Sequence, residues 1–251
     1  MGLYHIISQN AGRVIQLLLA IALTLGCVSC NVTSSAGDGE SSATEIYSSG
    51  ETSDETPVAT AAQTESTAPV GTVKAEINSK SVSDFSEMTD VTSYVKLTVK
   101  DHGELVLCLL KDAAPVTVAN FQKLVGAGYY NGLTFHRIYK GFMIQGGAGA
   151  STDSIKGEFS SNGFSNYLSH IRGIVSMART VEPNSASSQF FICDADATFL
   201  DGNYAAFGYV IAGLETVDAI ASVPVQNNGR GELSDPLEDV IIEKACFVTP
   251  N

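Results

Sequence analysis

An abrupt change in composition after Cys27 limits which part of this 251-residue chain can fold. Residues 31–72 contain 16 Ser or Thr among 42 residues and a single aromatic residue, Tyr47. Such a segment cannot bury enough apolar surface to offset the conformational entropy that is lost on ordering. We therefore predict a Ser/Thr-rich, acidic, disordered tether over residues 27–90 and one folded domain over residues 91–251.

The net charge lies largely in the tether. The chain has a formal charge of -13, and residues 31–73 contain seven carboxylates and no Lys or Arg. Residues 91–251 carry 16 acidic and 11 basic side chains, a charge of only -5. Binding to nucleic acid phosphates requires an excess of positive charge. The charge balance therefore argues against a nucleic acid partner.

The N-terminal apolar run has the features of an export signal. It reads VIQLLLAIALTL over residues 14–25 and follows Arg13. A dozen residues are too few to span a hydrocarbon core of about 30 Å as a helix. The string LTLGC that ends at Cys27 resembles the lipobox of bacterial lipoproteins, so we predict a signal peptide over residues 1–26 and a lipid anchor on Cys27. Lipidation at Cys30, simple secretion and an uncleaved anchor remain alternatives.

The remaining cysteines are spread singly along the domain, at Cys108, Cys193 and Cys246. No CxxC or Cys/His spacing accompanies them, so neither a zinc site nor a dithiol redox site is indicated. We predict buried thiols in the core, no metal and no cofactor.

Hydrophobic periodicity predicts many strands and two helices. Alternation over residues 91–99 and an apolar run over 104–110 flank a Gly-containing turn, which is typical of a hairpin. Pro115 suits the first turn of an amphipathic helix, and a second short helix is predicted over residues 214–223. Further apolar runs lie at 133–144, 173–178, 189–193, 205–212 and 238–248. This balance favours a closed or strongly curved sheet.

Strand alternation also predicts which side chains share a face. Residues two apart lie on one face, so Phe135 and Arg137 are expected together and His136 opposite them. Phe190 and Phe191 must point to opposite faces, so only one of them can line a pocket.

Three strings resemble one family, the cyclophilin-type peptidyl-prolyl cis/trans isomerases. They are FHRIYKGFMIQGG at 135–147, GIVSMARTVEPNSASSQFFIC at 173–193 and FLDGNYAAFGYVIAG at 199–213. Together with the hairpin and the first helix, they extend the resemblance over residues 91–250. The resemblance implies a mainly β fold, a closed eight-stranded antiparallel barrel capped by two α-helices.

The same resemblance implies a set of site residues. Arg137 would be the main catalytic residue, and Gln145 and Gln189 would orient Arg137 and the substrate backbone. The main chain of Ala178 and Arg179 would pair with the bound peptide. The residues matching the proline pocket and its rim are Phe142, Met143, Phe191, Phe199, Leu200 and Tyr204.

Two rim positions depart from the eukaryotic pattern. Phe199 stands where many eukaryotic members have Trp, and Tyr204 where they often have His. Because Phe lacks the indole N–H, tight cyclosporin binding is not expected, whereas isomerisation is. Isomerisation needs no base, so His136 is assigned a structural role.

The sequence thus predicts a monomeric peptidyl-prolyl isomerase, lipid-anchored outside the cytoplasm, that acts on X-Pro bonds of unfolded or exported polypeptides. The alternative is a module or holdase that binds proline-containing segments without turnover. A solute-binding lipoprotein fits the signal and the tether but not the three strings.

Overall fold

The computed structural model of the protein describes residues 70–251. Its α-helices are α1 (Val70–Glu76), α2 (Pro115–Gly126) and α3 (Leu214–Ala221). Its strands are β1 (Phe85–Glu87), β2 (Tyr94–Val99), β3 (Gly103–Leu109), β4 (Arg137–Tyr139), β5 (Met143–Gly146), β6 (Ile174–Met177), β7 (Phe190–Cys193), β8 (Ala206–Ala212), β9 (Val225–Asn227), β10 (Leu233–Pro236) and β11 (Ile242–Pro250). The predicted signal peptide, Cys27 and the tether up to residue 69 lie outside the described residues.

The predicted hairpin is present as β2 and β3. These strands pair in antiparallel register from Tyr94 opposite Cys108 to Val99 opposite Gly103. Asp101, in the connecting turn, has a φ of 61°, a left-handed conformation that Asp tolerates better than most residues. The alternate residues Val95 and Val99 are buried, as a half-buried strand requires.

Helix α2 begins where Pro115 predicts it, because proline lacks the N–H that a first helical turn would leave unpaired. The buried carboxylate of Glu158 caps this end. Its two oxygens accept hydrogen bonds from the backbone N–H groups of Val116 and Thr117, at 2.9 and 2.8 Å. A carboxylate here satisfies free donors and complements the positive end of the helix dipole. Helix α3 confirms the second predicted helix but ends at Ala221, two residues earlier than expected.

The main sheet contains nine strands in the order β1-β11-β2-β3-β8-β6-β7-β5-β4, and all its pairs are antiparallel. The eight strands from β11 to β4 correspond to the expected barrel. Its two ends meet through an isolated bridge between Thr134 and Ile241. Backbone hydrogen bonds from Phe135 N to Val240 O (2.9 Å) and from Ile242 N to Leu133 O (2.8 Å) flank that bridge. Strands β9 and β10 form a separate two-stranded hairpin that packs on β4.

The folded domain starts before the predicted boundary at residue 91. Strand β1 pairs with the end of β11, and Val73 and Phe85 are buried. The segment after α1 also bonds to β8, from Asn78 N to Val210 O at 3.0 Å and from Lys80 N to Ile211 O at 3.1 Å. Residues 70–90, assigned to the tether, are therefore part of the domain. They add α1 to the two predicted helices and β1 to the eight predicted barrel strands. Composition missed them because their order comes from contacts with the distant strands β8 and β11.

Aromatic rings fill much of the barrel interior. The Phe121 ring on α2 lies 5.1 Å from Phe207 and 5.4 Å from Phe190, measured between centroids. Tyr130 packs against the same group and donates its hydroxyl to Ser188 O at 2.9 Å, which satisfies a buried polar atom. Within residues 70–251, no helix is long and apolar enough to cross a bilayer.

Candidate active site

A row of side chains crosses four neighbouring strands on the outer face of the barrel. The strand register places Arg137 opposite Gln145, Gln145 opposite Phe191, and Phe191 opposite Ser176. Paired residues share a face, so this row lies on one side of β4, β5, β7 and β6. The neighbouring positions face the core and are Ile138, Ile144 and Ile192.

Hydrogen bonds join the polar members of this row. Arg137 Nη1 donates to Gln145 Oε1 at 3.2 Å, and Gln145 Nε2 donates to Gln189 Oε1 at 3.0 Å. Arg137 Nη1 also lies 3.9 Å from the sulfur of Met143. The structure therefore brings together Arg137, Gln145 and Gln189 as predicted and orders them along one line.

The sequence did not point to Glu232, the strongest partner of Arg137. Arg137 Nε donates to Glu232 Oε1 at 2.8 Å and Nη2 donates to Oε2 at 2.9 Å, a two-point ion pair. Burial raises the pKa of Glu232, but hydrogen bonds and the charge from Arg137 outweigh it, so the pKa lies below its usual range. Glu232 lies 95 residues from Arg137 in a string, GELSDP, that is typical of a polar turn.

Four of the residues predicted for the proline pocket share one property. Phe142, Met143, Phe191 and Leu200 are all buried, yet none belongs to the main core cluster. The Phe142 ring lies 6.0 Å from the Arg137 guanidinium carbon and 5.5 Å from the Phe199 ring. Phe199 is 42% exposed, which suits a residue at the rim. An apolar surface thus adjoins a fixed cationic donor.

Arg179 lies just after the end of β6 and contacts two aromatic rings. Ala178 N donates to Gln189 O at 2.9 Å, which extends the β6–β7 pairing and leaves Arg179 just beyond the ladder. The Arg179 guanidinium lies 4.7 Å from the Tyr204 ring and 5.0 Å from the Phe159 ring. Tyr204 in turn meets Phe191 edge-on at 6.0 Å. Arg179, predicted for the edge, is therefore linked through Tyr204, predicted for the rim, to Phe191 of the row.

Comparison with known proteins identifies the family. The family model described as "Cyclophilin type peptidyl-prolyl cis-trans isomerase/CLD" matches residues 94–246, more than half of the chain. The chain belongs to this family. It is a cyclophilin-type peptidyl-prolyl cis-trans isomerase.

Relatives and solved structures agree with this assignment. The cyclophilin is 41% identical over 164 residues to peptidyl-prolyl cis-trans isomerase A of Dickeya dadantii (strain 3937), covering 62% of this chain and 86% of that protein. It is 41% identical over 153 residues to peptidyl-prolyl cis-trans isomerase-like 3 of Gallus gallus, covering 59% and 94% respectively. A crystal structure of a Cryptosporidium parvum cyclophilin-type isomerase matches with a TM-score of 0.55 and 29% identity, covering 63% of this chain and 98% of that one.

In this cyclophilin a hydrogen-bonded set of polar side chains packs against Phe191. His170 stacks on the Phe191 ring at 6.0 Å, bonds to Asp201 through Nδ1 at 2.7 Å, and contacts Ser176 Oγ through Nε2 at 3.0 Å. Burial raises the pKa of Asp201, but hydrogen bonds from His170 and Ser169 bring it below the usual value. Because Ser176 is fully buried, this set resembles a catalytic triad only in composition, and it holds the ring of Phe191 in place.

Two face predictions have different outcomes. Phe190 lies in the core and Phe191 in the outer row, so these two neighbours occupy opposite faces as predicted. The prediction that Phe135 shares a face with Arg137 is wrong, because Phe135 packs in the core against Phe190. The chain is irregular between the Thr134 bridge and β4, and strand alternation does not extend across it.

His136 and the thiols offer no competing chemistry. Burial lowers the pKa of His136, which opposes a charged imidazole. Cys108 and Cys193 are buried as predicted, whereas Cys246 is only partly buried. Burial raises the pKa of all three thiols, so their reactive thiolate forms are disfavoured. Within residues 70–251 there is no cluster of side chains that could hold a metal ion.

Proposed function

We propose that Arg137 is the catalytic hydrogen-bond donor of this isomerase and that the apolar residues beside it hold the proline ring. The observation that carries this assignment is the position of Arg137 Nη1, bonded to Gln145 and adjacent to the apolar surface of Phe142 and Met143. In this arrangement a ring seated on the apolar side chains has a permanently charged donor next to it.

The reaction requires only these groups. An X-Pro bond resists rotation because the nitrogen lone pair is delocalised into the carbonyl, which gives a barrier of about 18–20 kcal/mol. A donor that bonds the nitrogen or the prolyl carbonyl as the bond twists favours the twisted state over the planar one. An acceleration of about 10⁵-fold needs roughly 7 kcal/mol of such preferential binding. No nucleophile, proton transfer, metal or cofactor enters this scheme.

The remaining predicted residues have supporting roles in this proposal. Gln145 and Gln189 orient Arg137 and the substrate backbone, and the main chain at Ala178 and Arg179 pairs with the peptide as an added strand. Phe191, Phe199, Leu200 and Tyr204 enclose the ring. A related crystal structure from Cryptosporidium parvum was obtained in the presence of the dipeptide Ala-Pro, which supports proline-containing peptides as ligands.

The test is an exchange measurement on the purified full chain with a peptide that contains one Ala-Pro bond. Arg137→Ala should lower kcat/KM by about 100- to 1000-fold, as the loss of one preorganised donor does. Lys140→Ala is a matched control, because Lys140 is an exposed cation just beyond β4 that contacts Ser222 rather than the row. Equal, catalysed rates in wild type and Arg137→Ala would overturn the assignment of Arg137 as the catalytic donor. A wild-type rate no higher than the uncatalysed one would instead favour a module that binds proline peptides without turnover.

We also propose that the enzyme acts on exported polypeptides outside the cytoplasm, held at the membrane by a lipid on Cys27. The apolar run over residues 14–25 and the lipobox-like string support this location. A flexible chain of about 42 residues has a root-mean-square span of roughly 35 Å, so the tether would let the domain reach emerging chains near the surface.

Membrane fractionation tests the anchor. Cys27→Ser should move the protein from the membrane to the soluble fraction, whereas Cys30→Ser should leave it at the membrane. Release by Cys30→Ser alone would move the lipid to Cys30. Membrane retention of both single variants and of the double variant would contradict a lipid anchor at either cysteine.

A further inference from the structure

The start of β10 has polar residues facing inward and an apolar residue facing outward. Glu232, just before β10, is 5% exposed and Ser234 is 1% exposed, whereas Leu233 between them is 63% exposed. A shift of one residue would bury Leu233 and expose Glu232, the arrangement that hydrophobic burial alone favours. The observed register therefore needs another cause, and the inward side meets Arg137 on β4.

Stability alone is a weak explanation for this arrangement. Glu232 is buried with both oxygens bonded to Arg137, whose side chain is only 15% exposed. Removing two charges from water has a desolvation cost that can match or exceed the attraction between them. A buried pair can instead serve to hold a charged group in one orientation, and Arg137 is the group that the proposed reaction uses.

We infer that Glu232 is a positioning residue for Arg137 in this isomerase, an inference that rests on the proposed role of Arg137. The two bonds engage Nε and Nη2, one edge of the planar guanidinium. The other nitrogen, Nη1, is left toward Gln145 and Met143, beside the apolar surface. The pair therefore fixes both the plane and the direction of the donor before substrate binds, which reduces the ordering required in the transition state.

The turn of the hairpin holds Glu232 in place. Asn228 Oδ1 accepts hydrogen bonds from the backbone N–H of Arg230 at 2.9 Å and of Glu232 at 3.4 Å. Asn228 N donates to Glu232 O at 2.9 Å, and its side-chain amide donates to Ser234 Oγ at 3.1 Å. Glu232 is thus fixed by its own loop and can act as a rigid support for a long, flexible arginine side chain.

A double-mutant cycle on the full chain tests the inference with the Ala-Pro peptide. Glu232→Gln should lower kcat/KM by about 10- to 100-fold, mainly through kcat, because the donor is misdirected while the apolar surface is unchanged. In the Arg137→Ala background the same substitution should change kcat/KM by less than about twofold. Glu238→Gln is the matched control, because it removes an exposed carboxylate two residues beyond β10 and should leave activity unchanged.

The possible results of the cycle distinguish the role of Glu232 from that of Arg137. Wild-type activity in Glu232→Gln, or an equal loss in both backgrounds, would overturn the positioning role while leaving Arg137 as the donor. Wild-type activity in Arg137→Ala would overturn the proposed catalytic role itself and the inference with it. Glu232→Asp keeps the charge but shortens the side chain by one methylene, so it should fold and show an intermediate loss of kcat. It decides the question if Glu232→Gln does not fold, and full activity in Glu232→Asp would then overturn the inference.

Discussion

Replacing Phe190 or Phe191 by alanine, one at a time, should distinguish a residue that stabilises the barrel core from a residue of the candidate active site. Phe190 is fully buried and contacts the rings of Phe121, Tyr130 and Phe135. Its loss leaves a closed cavity and should reduce the free energy of unfolding by about 3–5 kcal/mol. In a domain of this size that lowers Tm by roughly 10–15 °C.

Phe191→Ala should lose less stability and more activity than Phe190→Ala. Phe191 is 5% exposed, stacks on His170 and meets Tyr204 at the pocket, so water can enter the space that alanine leaves. The transfer contribution alone, about 2 kcal/mol, then applies, and Tm should fall by roughly 6 °C. In the proposed site the proline ring would lose an apolar contact, so kcat/KM should fall by at least about tenfold.

Thermal unfolding followed by circular dichroism and peptide exchange at 10 °C would measure both quantities. At that temperature the Phe190→Ala protein should be folded and retain kcat/KM within about threefold of wild type. A lower Tm for Phe191→Ala than for Phe190→Ala would contradict the core position assigned to Phe190. An equal loss of activity in the folded Phe190→Ala protein would contradict the separate role assigned to Phe191.

Three further predictions follow from the contacts. Gly208→Ala should lower Tm by several degrees or prevent folding, because its Cβ would clash with the backbone oxygen of Cys108, and unchanged Tm would contradict the close approach. Removing the residues before 91 should lower Tm relative to a chain that begins at residue 70, because β1 and the bonds to β8 are lost; equal unfolding curves would show that these contacts contribute nothing. The lowered pKa of Glu232 means that its contribution to stability is present above the unfolded pKa of about 4.3 and is lost as pH falls through the folded value. Glu232→Gln should therefore unfold with a weaker pH dependence than wild type below about pH 4.3 in acid titrations, and identical titration slopes would contradict this.

Local patterns in the sequence predicted most of the elements. The β2–β3 hairpin follows from alternation on both sides of a Gly-containing turn, and α2 follows from Pro115 and the spacing of its apolar residues. The opposite faces of Phe190 and Phe191 follow from their adjacency in one strand. These features depend on backbone geometry within a few residues, so the sequence alone is sufficient to predict them. The three strings at 135–147, 173–193 and 199–213 likewise indicated the family.

Contacts between distant segments could not be read in this way. The order of residues 70–90 depends on pairing with β11 and bonds to β8, and the core position of Phe135 depends on an irregular stretch next to the barrel closure. The local composition of these segments is polar or ambiguous, and their structure is set by partners more than 100 residues away.

The sequence by itself indicated the family and most of the elements between residues 91 and 251, and it singled out Arg137 as the candidate catalytic residue. Only the tertiary structure decided how Arg137 is held, because Glu232 lies 95 residues away on a hairpin whose local pattern favours burial of Leu233 instead. An ion pair of that kind arises from the register of two packed segments, and strand register across a long loop is a property of the whole fold rather than of any local string.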